Sequence, residues 1–251
     1  MTDHPPLSPR TRAIRLLEMA VLFFALPAVA AALVDPKQRF GAVFEAIGLD
    51  RVVELPVPLS GLVFPALFVF AGPMFVALLL SKRFPNRQLF NLRGLRFDAA
   101  RMFSLLAIGP VVVYAIAVGL DALGELPEDG VFRLPRELPW LPFFILIGYP
   151  LISCYPQEIS HRAFFFHRYG DALGPRWFAV LINALAFSWF HAPFWNPWAL
   201  AMTFLGGFLF AWTWLRSKSM LAVTIEHALY GWWAFMTGAG WFVFAGSLNS
   251  N

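Results

Sequence analysis

The sequence predicts an all-α fold, namely a polytopic bundle of about seven (six to eight) transmembrane helices. Of its 251 residues, 59% are hydrophobic and 14% are charged, and the mean hydropathy is +0.64. Soluble domains are about half apolar and about one quarter charged, so this composition is typical of a membrane protein. Apolar runs near the bilayer-spanning length of about 20 residues also recur along the chain. We therefore predict a polar N-terminal tail over residues 1–13 and a single membrane domain over residues 14–251.

The apolar runs identify the predicted spans in order. The first, Leu16–Val34, follows three arginines and ends in a run of alanines that also resembles a signal-peptide cleavage region. We interpret it as a retained span, because the rest of the chain is membranous and needs no export signal. The remaining runs cover Pro58–Leu80, Met102–Leu120, Leu141–Phe166, Trp177–His191, Trp198–Leu215 and Met220–Phe244.

The distribution of basic residues predicts the orientation of the bundle. If the N-terminus is cytoplasmic, 14 of the 19 lysines and arginines fall on the cytoplasmic side. Because short cytoplasmic loops carry an excess of basic residues, we predict a multi-pass protein of the cell membrane, the inner membrane in a bacterium, with a cytoplasmic N-terminus. The net charge of +4 is small, so the predicted partner is the lipid bilayer and not nucleic acid.

A polar stripe interrupts the fourth predicted span. Glu158 and Arg162 are four residues apart, so a helix places them on one face, where they can form an ion pair. Gln157 and His161 form a second such pair one position earlier. Ionisable groups at membrane depth are costly and point to a functional site, whereas the alternative is a helix end whose charges lie among lipid headgroups.

Two further spans carry ionisable side chains at a similar distance from the predicted cytoplasmic surface. His191 follows Phe187 by one helical turn, and Glu226 and His227 precede Tyr230 on the last span. We therefore expect one polar cavity, open to the cytoplasmic side, that is lined by Glu158, Arg162, His191 and His227.

This set of side chains suits the hydrolysis of a peptide bond. A carboxylate and an imidazole can activate a water molecule, a second imidazole can hold the oxyanion, and Arg162 can hold Glu158 in place. Two histidines and a glutamate can instead bind zinc with an open coordination position, and two histidines can bind haem. The HExxH spacing of zinc proteases is absent, and the single cysteine, Cys154, excludes a cysteine-cluster metal site.

The order of these motifs resembles the CAAX-processing and bacteriocin-processing (CPBP, or Abi) family of intramembrane proteases. Glu-x-x-x-Arg is followed by Phe-x-x-x-His and then by a histidine on a later helix, and the similarity covers residues 140–235, the catalytic half. The resemblance implies a helical membrane endopeptidase of the CAAX prenyl endopeptidase type that requires no cofactor. Its implied substrate is a peptide or protein, either lipidated or embedded in the membrane.

The resemblance also implies a role for each matching residue. In the family pattern, the first glutamate of Glu-Glu-x-x-x-Arg activates water with the histidine of Phe-x-x-x-His, and the later histidine stabilises the oxyanion. Here Gln157 takes the first position and Glu158 the second, and Gly231 stands where the family often has asparagine. The matching residues are Arg162, Phe187, His191 and His227, with Glu226 and Tyr230 beside them. Because an amide does not titrate, either Glu158 is the base or the protein is a catalytically degenerate scaffold or an immunity-type interaction protein.

Overall fold

The computed structural model describes residues 7–34, 45–46, 59–92, 94, 99–126 and 130–243, and its fold is all-α, as predicted. Several basic residues that entered the orientation argument lie outside the described residues. They are Lys37, Arg39, Arg51, Arg93 and Arg96.

The helices follow one another in the order of the predicted spans. They are α1 (Pro9–Ala20), α2 (Leu26–Leu33), α3 (Leu59–Leu80), α4 (Ala99–Ala122), α5 (Arg133–Glu137), α6 (Leu141–Tyr149), α7 (Tyr155–Glu158), α8 (Phe165–Leu173), α9 (Arg176–Trp189), α10 (Pro197–Ser217) and α11 (Met220–Thr237). Short 3₁₀ turns lie at Asn86–Phe90, Ala192–Phe194 and Ala239–Val243. Three π-helical segments, Val21–Ala25, Pro150–Cys154 and Ile159–Phe164, join α1 to α2, α6 to α7 and α7 to α8. Residues 9–33 and 141–173 are therefore two continuous helical rods, which we call the first rod and the site rod.

The first rod begins earlier than the sequence led us to expect. Ser8 caps α1 by accepting a hydrogen bond from the backbone N–H of Thr11, and Pro9 occupies the first helical turn. Serine at the cap and proline just inside it are favourable because they suit the unpaired N–H groups of a helix start. Residues 9–13, which we had assigned to the polar tail, therefore belong to the helix.

Four helices of the described residues are long and apolar enough to cross a membrane, fewer than the predicted seven or so. They are Pro9–Leu33, Gly61–Leu80, Arg176–Phe194 and Pro197–Ser217, and Leu106–Ala122 is a shorter apolar helix. The site rod and α11 are not among these four helices. Both contain polar residues of the predicted site, and these residues lower the hydropathy of the two segments. The chain thus has several apolar helices of a multi-pass membrane protein.

Hydrogen bonds connect the first rod to α8 and, farther along the chain, to the segment that follows α9. Near its start, Glu18 accepts hydrogen bonds from both Arg168 Nη2 (2.7 Å) and the hydroxyl of Tyr169 (2.9 Å) on α8. Near its other end, the indole N–H of Trp195 donates to the carbonyl of Ala31 at 2.7 Å. Between them the fully buried Phe23 packs edge-on against Phe165 and Tyr169, in the main hydrophobic core.

Basic residues collect at one end of the bundle, which we call the basic end. Arg12 donates to the carbonyl of Ala172 there, and the backbone of Lys218 accepts from Asn91. The Ser81 hydroxyl lies 3.0 Å from His167 Nε2 at the same end. Since basic loops stay cytoplasmic, this end is the one that we expect inside the cell.

Labelling with a membrane-impermeant maleimide checks this orientation. In intact cells, a cysteine that replaces the exposed Glu125 should react, because it follows α4 at the end opposite the basic end. A cysteine that replaces the exposed Asn86 should react after the membrane is permeabilised, whereas Cys154 is buried and gives little background. Labelling of Asn86→Cys in intact cells would reverse the predicted orientation.

Candidate active site

The site rod places the polar stripe at its most irregular part. Glu158 ends the single turn of α7, and Arg162 lies inside the π-helical segment that follows. Such π-helical turns re-aim neighbouring side chains and are frequent at functional sites. Glu158, His161 and Arg162 are completely buried, whereas Gln157 retains a slight exposure.

One buried carboxylate joins three helices. Oε1 of Glu158 lies 2.8 Å from Nδ1 of His227 on α11, and Oε2 lies 3.0 Å from Nε of Arg162 on its own rod. Arg162 Nη1 donates to Oδ1 of Asn183 on α9 at 2.9 Å, and the Asn183 amide in turn donates to the carbonyl of His161. The guanidinium lies over the ring of Phe187, 4.6 Å from its centroid. The predicted pair of Glu158 with Arg162 is therefore present and fixed from several sides.

His227 is held in one orientation by this carboxylate. A carboxylate that faces a guanidinium accepts hydrogen bonds, so Nδ1 of His227 donates to Glu158, and Nε2 is the acceptor nitrogen of the neutral imidazole. The imidazole stacks on the ring of Phe210, with centroids 4.5 Å apart and planes inclined by 21°. Nε2 lies 3.4 Å from the hydroxyl of Tyr149. His227 thus offers a basic nitrogen with a fixed direction.

His191 offers a second basic nitrogen. It lies just after α9 ends at Trp189, and its Nδ1 donates to the backbone carbonyl of Phe187 at 2.8 Å. A carbonyl can only accept, so Nδ1 carries the hydrogen and Nε2 is the acceptor nitrogen of the neutral imidazole. The ring of Phe187 contacts both imidazoles, at 5.1 Å from His191 and 5.6 Å from His227 between centroids. Both sequence-predicted histidines therefore contact the same aromatic ring.

A cavity of about 810 Å³ adjoins these nitrogens. Its walls are largely apolar, and they come from α2, α3, α4, α10 and α11. Its polar patch consists of Tyr149, Ser153, Gln157, His191, Thr203, His227 and Tyr230. The site is therefore a polar patch on the wall of a hydrophobic chamber.

Glu158 and Arg162 do not line this cavity, contrary to our expectation. Both are completely covered, because a charge against an apolar chamber would be costly unless it is paired. Gln157, the uncharged neighbour, faces the cavity instead. Glu158 thus lies behind the cavity wall, whereas Gln157 forms part of that wall.

The cavity also lies in a different half of the bundle from the one we expected. The lining residues belong to the end of the first rod, the first half of α3, the first half of α10 and the second half of α11. All four segments are remote from the basic end, at which the first rod and α11 begin and α3 and α10 finish. If the basic end is cytoplasmic, the cavity lies nearer the opposite side of the membrane, and the predicted opening toward the cytoplasm stays a prediction that depends on the orientation.

The remaining predicted residues take supporting places. Glu226 is buried beside His227 on α11 and does not line the cavity. Tyr230 does line it, and its ring lies against Gly109, where any Cβ would collide with that ring. The sequence did not reveal Tyr149, although its position two helical turns before Gln157 was a possible signal.

Gly231 has a steric reason to be glycine. A Cβ at this position would lie 2.6 Å from the hydroxyl oxygen of Tyr149 and 2.8 Å from its Cζ. These separations are far shorter than a van der Waals contact, so an asparagine here would displace the tyrosine. The departure from the family pattern at Gly231 is thus coupled to the presence of Tyr149.

The metal alternative receives no support from the described part of the chain. Within it, no three histidine, cysteine, aspartate or glutamate side chains are grouped so that they could hold a metal ion. Cys154 is buried in the π-helical segment before α7, and Nδ1 of His227 is already engaged by Glu158.

Comparison with known proteins confirms the resemblance. Residues 139–233 match the family model described as type II CAAX prenyl endopeptidase Rce1-like. The match includes the whole site rod and extends through His227, close to the predicted limits of residues 140–235. No curated protein and no solved structure matches the chain.

Proposed function

We propose, from the premise that residues 139–233 form a domain of the type II CAAX prenyl endopeptidase Rce1-like family, that this chain is an intramembrane endopeptidase. The observation that supports the proposal best is the 2.8 Å contact between Glu158 and His227. It fixes the proton of the neutral imidazole on Nδ1, so Nε2 presents its lone pair on the cavity wall, where it can act as a general base.

The proposed reaction uses His227 to activate water. Nε2 takes a proton from a water molecule while the water oxygen attacks the carbonyl carbon of the peptide bond, and the carbonyl electron pair moves onto its oxygen. When the carbon–nitrogen bond breaks, the imidazolium returns this proton to the leaving nitrogen. The products are a carboxylic acid and an amine. Nε2 of His191 accepts a hydrogen bond from the second O–H of the water, which keeps that hydrogen, and so orients the water.

Glu158 acts through His227 in this proposal and not directly on water. Its carboxylate sets the tautomer of His227 and stabilises the imidazolium that forms, as the orienting carboxylate does in other histidine-based hydrolases. Arg162 holds the carboxylate in place from the other side, at 3.0 Å. We had expected Glu158 to be the base itself, but its complete burial favours this indirect role.

Gln157 has a binding role in the proposal. Its Nε2 donates to the hydroxyl of Ser153 at 2.8 Å, and its buried Oε1 has no hydrogen-bond partner. Leaving such an acceptor unsatisfied is costly, so a turn of this amide toward the cavity would let it accept from an N–H group of a peptide backbone or from a water molecule. The apolar walls of the cavity suit a substrate segment that is lipidated or embedded in the membrane.

A catalytically degenerate binding protein is the second candidate. The observation that favours it is the amide of Gln157 on the cavity wall, at the position where the family pattern has the water-activating glutamate. In that case the cavity would bind a membrane segment without cleaving it.

Cleavage by Gln157 variants separates the two candidates. The purified protein is incubated with a mixture of lipidated and membrane-protein peptides, and new termini are detected by mass spectrometry. We expect the wild type to cleave, and Gln157→Ala to lower the rate about fivefold, because one hydrogen bond is worth about 1 kcal/mol. Gln88→Ala, which alters a glutamine near the basic end, is the matched control. If the wild type cleaved nothing and Gln157→Glu cleaved peptide, the chain would be the catalytically degenerate binding protein.

A further inference from the structure

Tyr149 ends α6 and faces the proposed base directly. Its ring stands perpendicular to that of His227, with an interplanar angle of 89° and centroids 6.0 Å apart. Because Nδ1 of His227 carries the ring proton, the Tyr149 O–H donates to Nε2 across 3.4 Å. The hydroxyl therefore lies on the cavity wall beside the nitrogen at which water would be activated.

The position of this ring is fixed by its surroundings. Phe235 packs edge-on against it, with centroids 5.6 Å apart, and Gly231 lies so close that the tyrosine fills the space of a side chain at that position. Pro150 follows at once and begins the π-helical segment of the site rod. A hydroxyl held in this way is pre-organised, as a donor for a developing negative charge must be.

Several other polar groups on the cavity wall direct their hydrogens elsewhere. The N–H groups of His191 and His227 point to Phe187 and Glu158, and their cavity-facing nitrogens are acceptors. The amide of Gln157 donates to Ser153, and the hydroxyl of Thr203 donates to the carbonyl of Ala199 at 2.6 Å. An oxyanion at this place needs a donor, which the Tyr149 hydroxyl can supply by turning its hydrogen away from His227.

We infer that Tyr149 is a catalytic residue that donates its hydroxyl hydrogen bond to the oxyanion of the tetrahedral intermediate. The inference rests on the proposed function and assigns the oxyanion-stabilising role to the tyrosine instead of to a histidine. As water enters between His227 and the substrate carbonyl, the O–H switches from Nε2 to the carbonyl oxygen. It keeps its proton throughout, so it stabilises charge and is not consumed.

The first test compares Tyr149→Phe with the wild type in steady-state cleavage. This change keeps the ring against Gly231 and removes the donor alone. Loss of one oxyanion donor should lower kcat about 100-fold, while KM should stay within about threefold of the wild-type value. Tyr155→Phe on the same rod is the matched control, because its hydroxyl donates to the carbonyl of Leu89 outside the cavity, and it should remain within about twofold of the wild type. Thermal unfolding of both variants checks that the fold is intact.

A second test moves the donor to another backbone position. Tyr149→Ala empties the space beside Gly231, so the double variant Tyr149→Ala/Gly231→Asn can place an amide N–H there. We expect it to recover at least about tenfold of the activity lost in Tyr149→Ala, because one donor is worth about 100-fold. The isosteric Tyr149→Ala/Gly231→Leu, which has no donor, should recover none.

The outcomes distinguish this inference from the proposed function. An active wild type with a kcat of Tyr149→Phe within about threefold would overturn the role of Tyr149 alone, since an oxyanion donor contributes far more. Equal activity of the asparagine and leucine double variants would do the same. A wild type that cleaves nothing overturns the proposed function and this inference with it.

Discussion

The variant His227→Asn should cleave peptide about 10³-fold more slowly than the wild type, the usual contribution of a general base. Asparagine can keep the hydrogen bond to Glu158 through its amide, so the change removes Nε2 while leaving the buried carboxylate with a partner. The loss should appear in kcat, measured as single-turnover cleavage with enzyme in excess over substrate.

His167→Asn is the matched control for that experiment. His167 contacts the Ser81 hydroxyl at the basic end, 3.0 Å away, and does not line the cavity. It should leave the rate within about twofold, because no catalytic contribution is removed. If His227→Asn also stayed within about tenfold of the wild type, His227 would not be the base.

The variant Glu158→Gln should lower the free energy of unfolding by about 3–5 kcal/mol, the usual cost of removing one partner from a buried ion pair. The guanidinium of Arg162 would keep its contacts with Asn183 and Phe187 but would lose its carboxylate inside a completely buried site. Unfolding in mixed micelles of increasing SDS content measures this loss.

Two further variants show whether the unpaired charge of Arg162 causes the loss of stability in Glu158→Gln. Glu158→Gln/Arg162→Met removes both charges and should recover most of the lost stability, since an apolar replacement of a buried pair is often neutral. Glu137→Gln breaks the ion pair with Arg133 at 3.1 Å, whose side chains are 39% and 49% exposed, and should cost less than about 1 kcal/mol. Similar losses for Glu158→Gln and Glu137→Gln would contradict the importance of the buried pair.

Helix periodicity was sufficient to predict part of this site. The spacing of Glu158 and Arg162 follows from 3.6 residues per turn, and the structure contains the expected pair. The presence of His191 and His227 on the wall of one cavity was also expected, because both lie at intermediate depth on their spans. The apolar runs likewise predicted the helices to within a few residues in most cases.

Other features depend on contacts that a single sequence does not encode in a readable way. The π-helical segments of the site rod change which residues face the cavity, so Gln157 lies in the wall while Glu158 points to another helix. No local signal marks these segments. The approach of Tyr149 to His227, 78 residues later, likewise depends on how α6 and α11 pack.

The first rod is joined to α9 and to the site rod by contacts that an ordinary membrane anchor would not make. Its π-helical turn at Val21–Ala25 displaces a carbonyl from the regular helix ladder, and the indole of Trp189 donates to the carbonyl of Phe24 at 2.9 Å. Phe23 from the same turn packs edge-on against the ring of His161, with centroids 5.2 Å apart. The family match begins at residue 139, yet its interior is completed by a helix more than a hundred residues upstream. Residues 139–233 consequently share their interior with the first rod, and a leading helix without Phe23 would leave part of that interior unfilled.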